Sequence, residues 1–76
     1  MKDRVMELIS SCADIDTKKI DENMTFEELD LDIDDIMELL IPIEEEFDMQ
    51  NLTELFSDIK TDIKISRFIE MIKENI

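Results

Sequence analysis

Residues 33–47 read IDDIMELLIPIEEEF, and this stretch decides the fold. Its apolar residues recur every three or four positions, as in a helix that buries one side. The predicted buried stripe is Ile36, Leu40, Ile43 and Phe47. The two Asp that follow Ile33 suit the positive end of a helix dipole. We therefore predict a helix that begins at residues 33–35 and ends near Phe47 or Met49.

Pro42 interrupts this helical pattern. Proline has no N–H to donate to the carbonyl of Glu38, and inside a straight helix it would cost roughly 3 kcal/mol. The helix either kinks or ends at Ile41 and restarts at Pro42, and a Pro followed by the Glu at 44–46 is typical of a helix start. Because the apolar stripe continues across Pro42, the pattern favours one kinked helix.

The rest of the chain also has the pattern of helices. It contains no Gly, Trp or Tyr and a single Pro, a composition that favours helices over β-hairpins. Thr25 and Glu28 have the spacing of a capping box, which predicts a short turn over 26–29. The predicted elements are a helix over 3–13, a long ordered loop over 14–25, the helix described above, a short helix over 52–57, and a last helix that Thr61 or Asp62 caps and that ends near Asn75.

Apolar stripes on the first and last helices predict how these helices pack. The first stripe is Val5, Leu8, Ile9 and Cys12, and the last is Ile65, Phe68, Ile69 and Ile72. Cys12 is therefore predicted to be a small buried thiol. It is the only Cys, so it cannot form an internal disulfide, and zinc would need more soft ligands than it provides.

The length of 76 residues predicts one domain, 1–76, with an all-α fold and a marginal stability. We find neither the pattern of a secretory signal peptide nor an apolar run long enough to cross a bilayer. We therefore expect a cytoplasmic protein that has no membrane partner.

Negative charge is concentrated in one part of the chain, residues 21–58, which we call the central acidic block. It holds fifteen Asp and Glu and no Lys or Arg, whereas the flanks are near balance, so it accounts for the formal net charge of −14. A surface of one sign repels itself and attracts basic partners. It disfavours binding to nucleic acid, and it leaves an acidic mimic of nucleic acid as an alternative function.

The acidic residues do not form a recognisable catalytic or metal site. Asp30, Asp32 and Asp34 alternate like the first ligands of a calcium loop. However, Asp35 occupies the position of the required Gly, and Ile41 occupies the position of the bidentate Glu. The chain has no His and no Gly-rich loop, so we predict no metal site and no enzymatic activity.

Residues 4–26 and residues 38–48, ELLIPIEEEFD, resemble an acyl carrier protein. The likeness extends over nearly the whole chain: an opening Arg-Val helix, a long loop ending in Phe, an acidic second helix and a final helix with Phe-Ile-Glu-Met-Ile. It implies an antiparallel four-helix bundle of three longer helices and one short helix. Members of the family shuttle acyl groups on a phosphopantetheine arm, and their acidic second helix docks onto basic patches of partner enzymes.

This chain lacks the residue that carries the arm. The family motif at the start of the second helix is Asp-Ser-Leu, and the alignment places Asp32 on its Asp and Ile33 on its Ser. Shifted alignments place Asp34 or Asp35 on the Ser, and none of these side chains has a hydroxyl group. The Gly that precedes the motif is also replaced, by Asp30. The resemblance therefore implies the fold but no covalently bound phosphopantetheine, and we expect no cofactor.

The sequence thus predicts a monomeric, carrier-protein-like module that docks onto the basic surface of a partner enzyme of fatty-acid or polyketide-type metabolism. Met37 lies beside the main apolar stripe and is a candidate for contact with an apolar patch on that partner. The predicted partner-binding residues are Asp32, Asp34, Asp35, Met37, Glu38, Glu44 and Glu45. A second alternative is a true acyl carrier protein whose attachment site is displaced.

Overall fold

Four α-helices and two 3₁₀ helices make up the regular structure of residues 1–75, which the computed structural model describes. The α-helices are α1 (Lys2–Ala13), α2 (Ile33–Phe47), α3 (Leu52–Leu55) and α4 (Ile65–Glu74), and the 3₁₀ helices are Thr17–Lys19 and Glu27–Leu29. The described residues contain no β-strand, only an isolated antiparallel bridge between Thr25 and Lys64. The all-α prediction and the predicted order of the helices are confirmed.

One hydrophobic core joins the helices and the loops between them. Phe68 is in its centre: its ring lies 5.0 Å from that of Phe26, edge to face, and 4.8 Å from that of Phe56. No polar or charged residue of the described chain is buried. The buried residues are Val5, Ile9, Ile20, Phe26, Leu29, Leu31, Ile36, Leu39, Leu40, Ile43, Leu52, Phe56, Ile65, Phe68, Ile69 and Ile72.

The predicted stripes supply much of this core, with differences at their ends. All four predicted residues of α4 are buried, as are Ile36, Leu40 and Ile43 of α2. Leu8 and Phe47 are only half-buried and pack against the edge of the core. The stripe on α2 is wider than predicted because Leu39 is also buried.

The α2 helix continues through Pro42 without interruption, which confirms a single helix over two successive ones. Its start is a capping box that the sequence analysis did not identify. The N–H of Asp35 donates to the carboxylate of Asp32 at 2.9 Å, and the N–H of Asp32 donates to the carboxylate of Asp35 at 3.1 Å. The two side chains thereby satisfy two N–H groups at the helix start.

A second capping box, the predicted one, lies in the loop before α2. The N–H of Glu28 donates to the hydroxyl oxygen of Thr25, and the N–H of Thr25 donates to the carboxylate of Glu28, each at 3.2 Å. The turn that follows is the 3₁₀ helix, and it brings Phe26 and Leu29 into the core. This confirms the predicted turn.

Asp and Asn occupy the positions where other proteins often use Gly. The chain has no Gly, and Asp14, Asp30, Asp48 and Asn51 have positive φ values, between 52° and 66°. Three of them follow the last residue of a helix, where a left-handed residue ends the helix. Asp and Asn tolerate this conformation better than other residues that carry a Cβ atom.

The start of α4 differs from the prediction. Thr61 and Asp62 are predicted to cap this helix, but both lie in a turn, and the helix begins only at Ile65. The N-cap residue is Lys64, whose side chain makes no capping hydrogen bond. The prediction is wrong because the N–H groups at the start of α4 have partners elsewhere in the chain.

Those partners are backbone carbonyls of the loop between α1 and α2. The N–H of Ile65 donates to the carbonyl of Met24 at 2.9 Å, and the N–H of Ser66 donates to the carbonyl of Glu22 at 2.8 Å. A helix start needs hydrogen-bond acceptors but does not need them to be side chains. A distant loop therefore decides where α4 begins.

Two further predictions are corrected by the structure. Cys12 is exposed rather than buried, because its thiol lies at the end of α1 against the first turn of α2 and outside the core. The short helix α3 ends at Leu55 rather than Ser57, and the residues after it form a turn. No helix of the described residues is both long and apolar enough to span a bilayer.

Candidate functional site

The outer side of α2 carries a row of three acidic residues, Asp34, Glu38 and Glu45, which we call the acidic row. All three are exposed. Asp34 and Glu38 are four positions apart, and Glu45 follows Glu38 by seven positions, or about two helical turns, so all three lie on one side of the helix. Among the residues that the structure describes, none has a basic partner within ion-pair distance of these carboxylates.

The ion pairs of the described residues lie mainly outside the central acidic block, on α1 and α4. Of the fifteen acids in the central acidic block, only Glu22 and Glu46 form ion pairs with described residues. The ion pairs are Lys2–Glu22, Arg4–Glu7, Arg4–Glu46, Arg67–Glu70 and Arg67–Glu74. Bonding to Glu22 raises the pKa of Lys2, and bonding to Glu46 and Glu7 raises that of Arg4. The negative charge of the acidic row remains uncompensated.

Four of the predicted partner-binding residues also have tasks within the molecule. Asp32 and Asp35 form the capping box of α2. Glu44 is half-buried, and its carboxylate accepts a hydrogen bond of 3.2 Å from the N–H of Leu52. Glu44 thus joins α2 to the start of α3. Met37 is half-buried and packs against the core. The carboxylates of the acidic row form no hydrogen bond with the described residues, so they are the most available for a partner.

An exposed apolar row, which the sequence analysis did not identify as a unit, lies beside the acidic row. Ile33 is 38% exposed and Ile41 is 54% exposed, and they are the exposed large hydrophobic residues of the described chain. With Met37 between them, they are spaced four residues apart and follow one side of α2. The four-residue spacing of these apolar residues in the sequence could have predicted the row. We call Ile33, Met37 and Ile41 the apolar row.

The opposite flank of α2 faces α1. The guanidinium of Arg4 on α1 binds Glu46, and the thiol of Cys12 lies 3.8 Å from the carbonyl of Asp35. Partial desolvation raises the pKa of the Cys12 thiol, as do the negative charges of Asp35, Glu38 and Asp32. A thiol in this environment remains protonated at neutral pH, and it is a poor nucleophile.

Two surface clefts lie away from this site. A cleft of about 860 Å³ is bordered by α1 and the loop before Asn23, and it has basic residues such as Lys18 as well as acidic ones. A smaller apolar cleft of about 230 Å³ lies between the end of α3 and α4, where Phe56, Ile63 and Met71 line it. Neither cleft has a residue of α2 in its lining.

The residues at the start of α2 do not fit a phosphopantetheine arm, which acyl carrier proteins attach to a Ser hydroxyl. Ile33 is the first residue of α2, and its side chain is a hydrocarbon. Before α2, the hydroxyl of Thr25 is bonded to Glu28, and Ser57 lies in the turn after α3. Within residues 1–75, no group of three or more Cys, Asp or Glu is arranged to hold a metal ion.

Comparisons with known families and solved structures found no relative of this chain. No protein-family model matches the chain, and no solved structure matches it either.

Proposed function

We propose that this protein is a carrier-protein-like docking module that binds a basic surface of a partner enzyme of fatty-acid or polyketide-type metabolism. It binds through the outer side of α2 and carries no phosphopantetheine arm. One observation carries this proposal: Asp34, Glu38 and Glu45 form an exposed row of negative charge that no basic residue of the described chain compensates.

Physical chemistry favours a binding role for such a row. Three carboxylates on one side of a helix repel one another, and each Lys or Arg of a partner relieves that repulsion while it adds attraction. The attraction also accelerates association because it acts over a distance of roughly 8 Å at physiological ionic strength. A complementary basic surface is therefore the best partner for α2.

The order and lengths of the helices support the proposed kinship with acyl carrier proteins. Three longer helices and a short one enclose the core, and the acidic helix is second, after a long loop. Asp30, where the family has Gly, has φ 61° and ψ 33°, a left-handed conformation that Gly adopts readily. Ile33, in the proposed position of the arm-bearing Ser, is the first residue of α2.

A module without an arm has a different use from that of a carrier. It can occupy the carrier-binding surface of an enzyme without delivering a substrate, and it can thereby hold an enzyme in an assembly or compete with a loaded carrier. Both uses need the acidic row and neither needs a hydroxyl at position 33.

The proposal is tested by titrating the protein with ketosynthases and acyltransferases that recognise acyl carrier proteins, using isothermal titration calorimetry at low and high salt. We expect binding that weakens steeply as salt increases. The triple variant Asp34→Asn/Glu38→Gln/Glu45→Gln, which we call the α2 variant, should bind at least about tenfold more weakly, since each lost contact to a charged partner contributes to affinity. Salt-insensitive binding would contradict the proposal.

A matched control removes the same number of charges elsewhere. The variant Glu7→Gln/Glu70→Gln/Glu74→Gln, which we call the control variant, changes exposed acids of α1 and α4 that form ion pairs with Arg4 and Arg67. It should bind partner enzymes nearly as well as the wild-type protein. Equal losses in the two variants would show that net charge alone, rather than the acidic row, drives the binding.

Mass spectrometry tests the absence of the arm. The protein is incubated with coenzyme A and a phosphopantetheinyl transferase, alongside an acyl carrier protein that is known to accept the arm. We expect no mass gain, because Ile33 provides no oxygen for the phosphodiester. A gain of one phosphopantetheine would overturn the armless assignment and identify a displaced attachment site.

A further inference from the structure

Ile33 and Ile41 are exposed, and the fold does not require an apolar residue at either position. The core side of α2 is already filled by residues that are at most 3% exposed, namely Ile36, Leu39, Leu40 and Ile43. A β-branched residue has a lower helix propensity than Glu, Gln or Lys, so Ile is not favoured on a solvent-facing helix surface. Neither core packing nor helix propensity therefore explains the two exposed Ile, and together with Met37, midway between them, they form an apolar patch on the surface of α2.

We propose that Ile33, Met37 and Ile41 form the apolar centre of the docking surface, and that the partner presents an apolar strip bordered by Lys or Arg side chains. This inference rests on the proposed function and specifies its partner. On the protein side, Asp34 and Glu38 run beside the apolar row, and Glu45 lies one turn beyond Ile41 at its end. An amphipathic, basic partner surface would complement α2 both in the sign of its charge and in its apolar area.

A second copy of this chain does not fit the same surface. In a symmetric dimer through the apolar row, the two copies of the acidic row would lie close together with no basic residue of α2 between them. The flank of α2 beyond Asp35 and Glu46 is not available either, because Cys12 and Arg4 of α1 contact it. The free part of α2 thus consists of the acidic row and the apolar row, and a basic partner is the complementary one.

The two rows would contribute to binding in different ways. Interactions of the acidic row are screened by salt and mainly affect the rate of association. Contacts of the apolar row release water from apolar surface, depend little on ionic strength and mainly affect the rate of dissociation. The variants of the two rows can therefore be distinguished by the salt dependence of what they lose.

The test uses two synthetic peptides as probes. One is a helical peptide of Leu and Lys with the Leu on one side, and the other has the same composition in scrambled order, so that both carry the same charge. Titrations followed by nuclear magnetic resonance should show tighter binding of the amphipathic peptide, with the largest shift changes at Ile33, Met37 and Ile41. Equal affinity for both peptides would overturn the inference, as would shift changes confined to residues outside α2.

The double variant Ile33→Gln/Ile41→Gln, which we call the apolar variant, provides the second arm of the test. Gln is a good helix former, so the fold should persist, and circular dichroism checks this. We expect about tenfold weaker binding of the amphipathic peptide at both low and high salt. In contrast, the α2 variant should lose affinity mainly at low salt. Unchanged binding by a folded apolar variant would overturn the inference.

The outcomes separate this inference from the proposed function. If the partner enzymes bind the wild-type protein and the apolar variant equally, the apolar row is not part of the docking surface, while the proposed function stands. If the amphipathic peptide binds through the apolar row but no carrier-recognising enzyme binds, the docking surface stands and the assignment to that metabolism is wrong. Sedimentation velocity adds a check. A dimer that the wild-type protein forms and the apolar variant does not form would overturn the choice of a basic partner.

Discussion

The α2 and α4 helices pack into the same core but begin in different ways. At the start of α2, Asp32 and Asp35 satisfy N–H groups with their own side chains. At the start of α4, the N–H groups of Ile65 and Ser66 donate to carbonyls in the loop at residues 22–24. A helix with a local cap has its start specified by neighbouring residues, whereas a helix capped by a loop needs that loop in place. The start of α4 should therefore depend on the tertiary structure more than that of α2.

The outer surfaces of these two helices differ as well. Arg67 on α4 lies within ion-pair distance of Glu70 and Glu74. The outer side of α2 has no basic residue, since residues 21–58 contain no Lys or Arg. Charge on the outer surface of α4 is therefore partly balanced within the molecule, whereas charge on the outer side of α2 is not. The following predictions test both differences.

The largest effect is expected from Phe68→Ala in α4. Phe68 is fully buried between Phe26 and Phe56, and truncation of a buried Phe costs about 3–5 kcal/mol. Because a single core in a chain of this size supplies only about 3–5 kcal/mol, a large fraction of the variant should be unfolded at room temperature. Urea titration followed by circular dichroism measures this loss. The exposed Arg67→Ala should change the free energy of unfolding by less than about 1 kcal/mol, and an equal effect of the two would contradict the assigned core.

The two helix starts should respond differently to loss of the predicted caps. Asp32→Ala removes the capping box of α2 and should lower the free energy of unfolding by about 1 kcal/mol. Asp32→Asn, which retains an acceptor oxygen, should lower it less. Asp62→Ala should have almost no effect, because α4 begins three residues later. A loss at Asp62 as large as that at Asp32 would show that α4 has a side-chain cap in solution.

The residues that lead into the two helices should respond in opposite ways to Gly. Asp30, before α2, is left-handed with φ 61°, so Asp30→Gly should stabilise the protein by about 0.5–1 kcal/mol. Lys64, before α4, is extended with φ −72° and ψ 143°, so Lys64→Gly should destabilise it by a similar amount through unfolded-chain entropy. Thermal unfolding of both variants measures the difference. Destabilisation by Asp30→Gly would contradict the left-handed assignment.

Salt should distinguish the two surfaces. Uncompensated repulsion at α2 opposes folding, so sodium or magnesium chloride should raise the melting temperature of the wild-type protein. The α2 variant should start from a higher melting temperature at low salt and gain less from added salt. The control variant, which loses ion-pair partners of Arg4 and Arg67, should keep most of the wild-type response. A melting temperature that does not increase with salt would show that the acids are already well separated.

The smallest effect is expected at Cys12, where the charge of α2 acts on α1. Desolvation raises the pKa of the Cys12 thiol, and Asp35, Glu38 and Asp32 raise it further. The thiolate therefore forms only above the ordinary pH range of a Cys, and alkylation by iodoacetamide at mildly alkaline pH should be slower than for a free thiol. Glu38→Gln should lower this pKa and accelerate the reaction modestly. Identical rates would show that the charge of Glu38 does not reach the thiol.

The raised pKa of Cys12 also predicts the direction in which the stability of the protein changes with pH. The folded state raises the pKa of Cys12 above its unfolded value, so the associated stabilisation is fully present below the unfolded pKa. It is lost as the pH rises through the folded pKa. The melting temperature of Cys12→Ala should consequently decline less at alkaline pH than that of the wild-type protein. An identical decline in both would contradict the linkage.

Local sequence determined much of this protein. The spacing of apolar residues determined that there are four helices and most of their buried residues, since a helix of 3.6 residues per turn must bury one stripe. The spacing of Thr25 and Glu28 determined their capping box, and the concentration of charge determined the acidic side of α2. The Asp32–Asp35 box was equally readable, because it too depends on residues only three positions apart.

Only the tertiary structure decided the features that depend on contacts between distant residues. The start of α4 follows from loop carbonyls about forty residues earlier in the chain. The exposure of Cys12 follows from where α1 meets α2. The carboxylate of Glu44, one of the predicted docking residues, is instead bonded to the N–H of Leu52. Periodicity shows which side of a helix is apolar, but it does not show which other segment covers that side or accepts its hydrogen bonds.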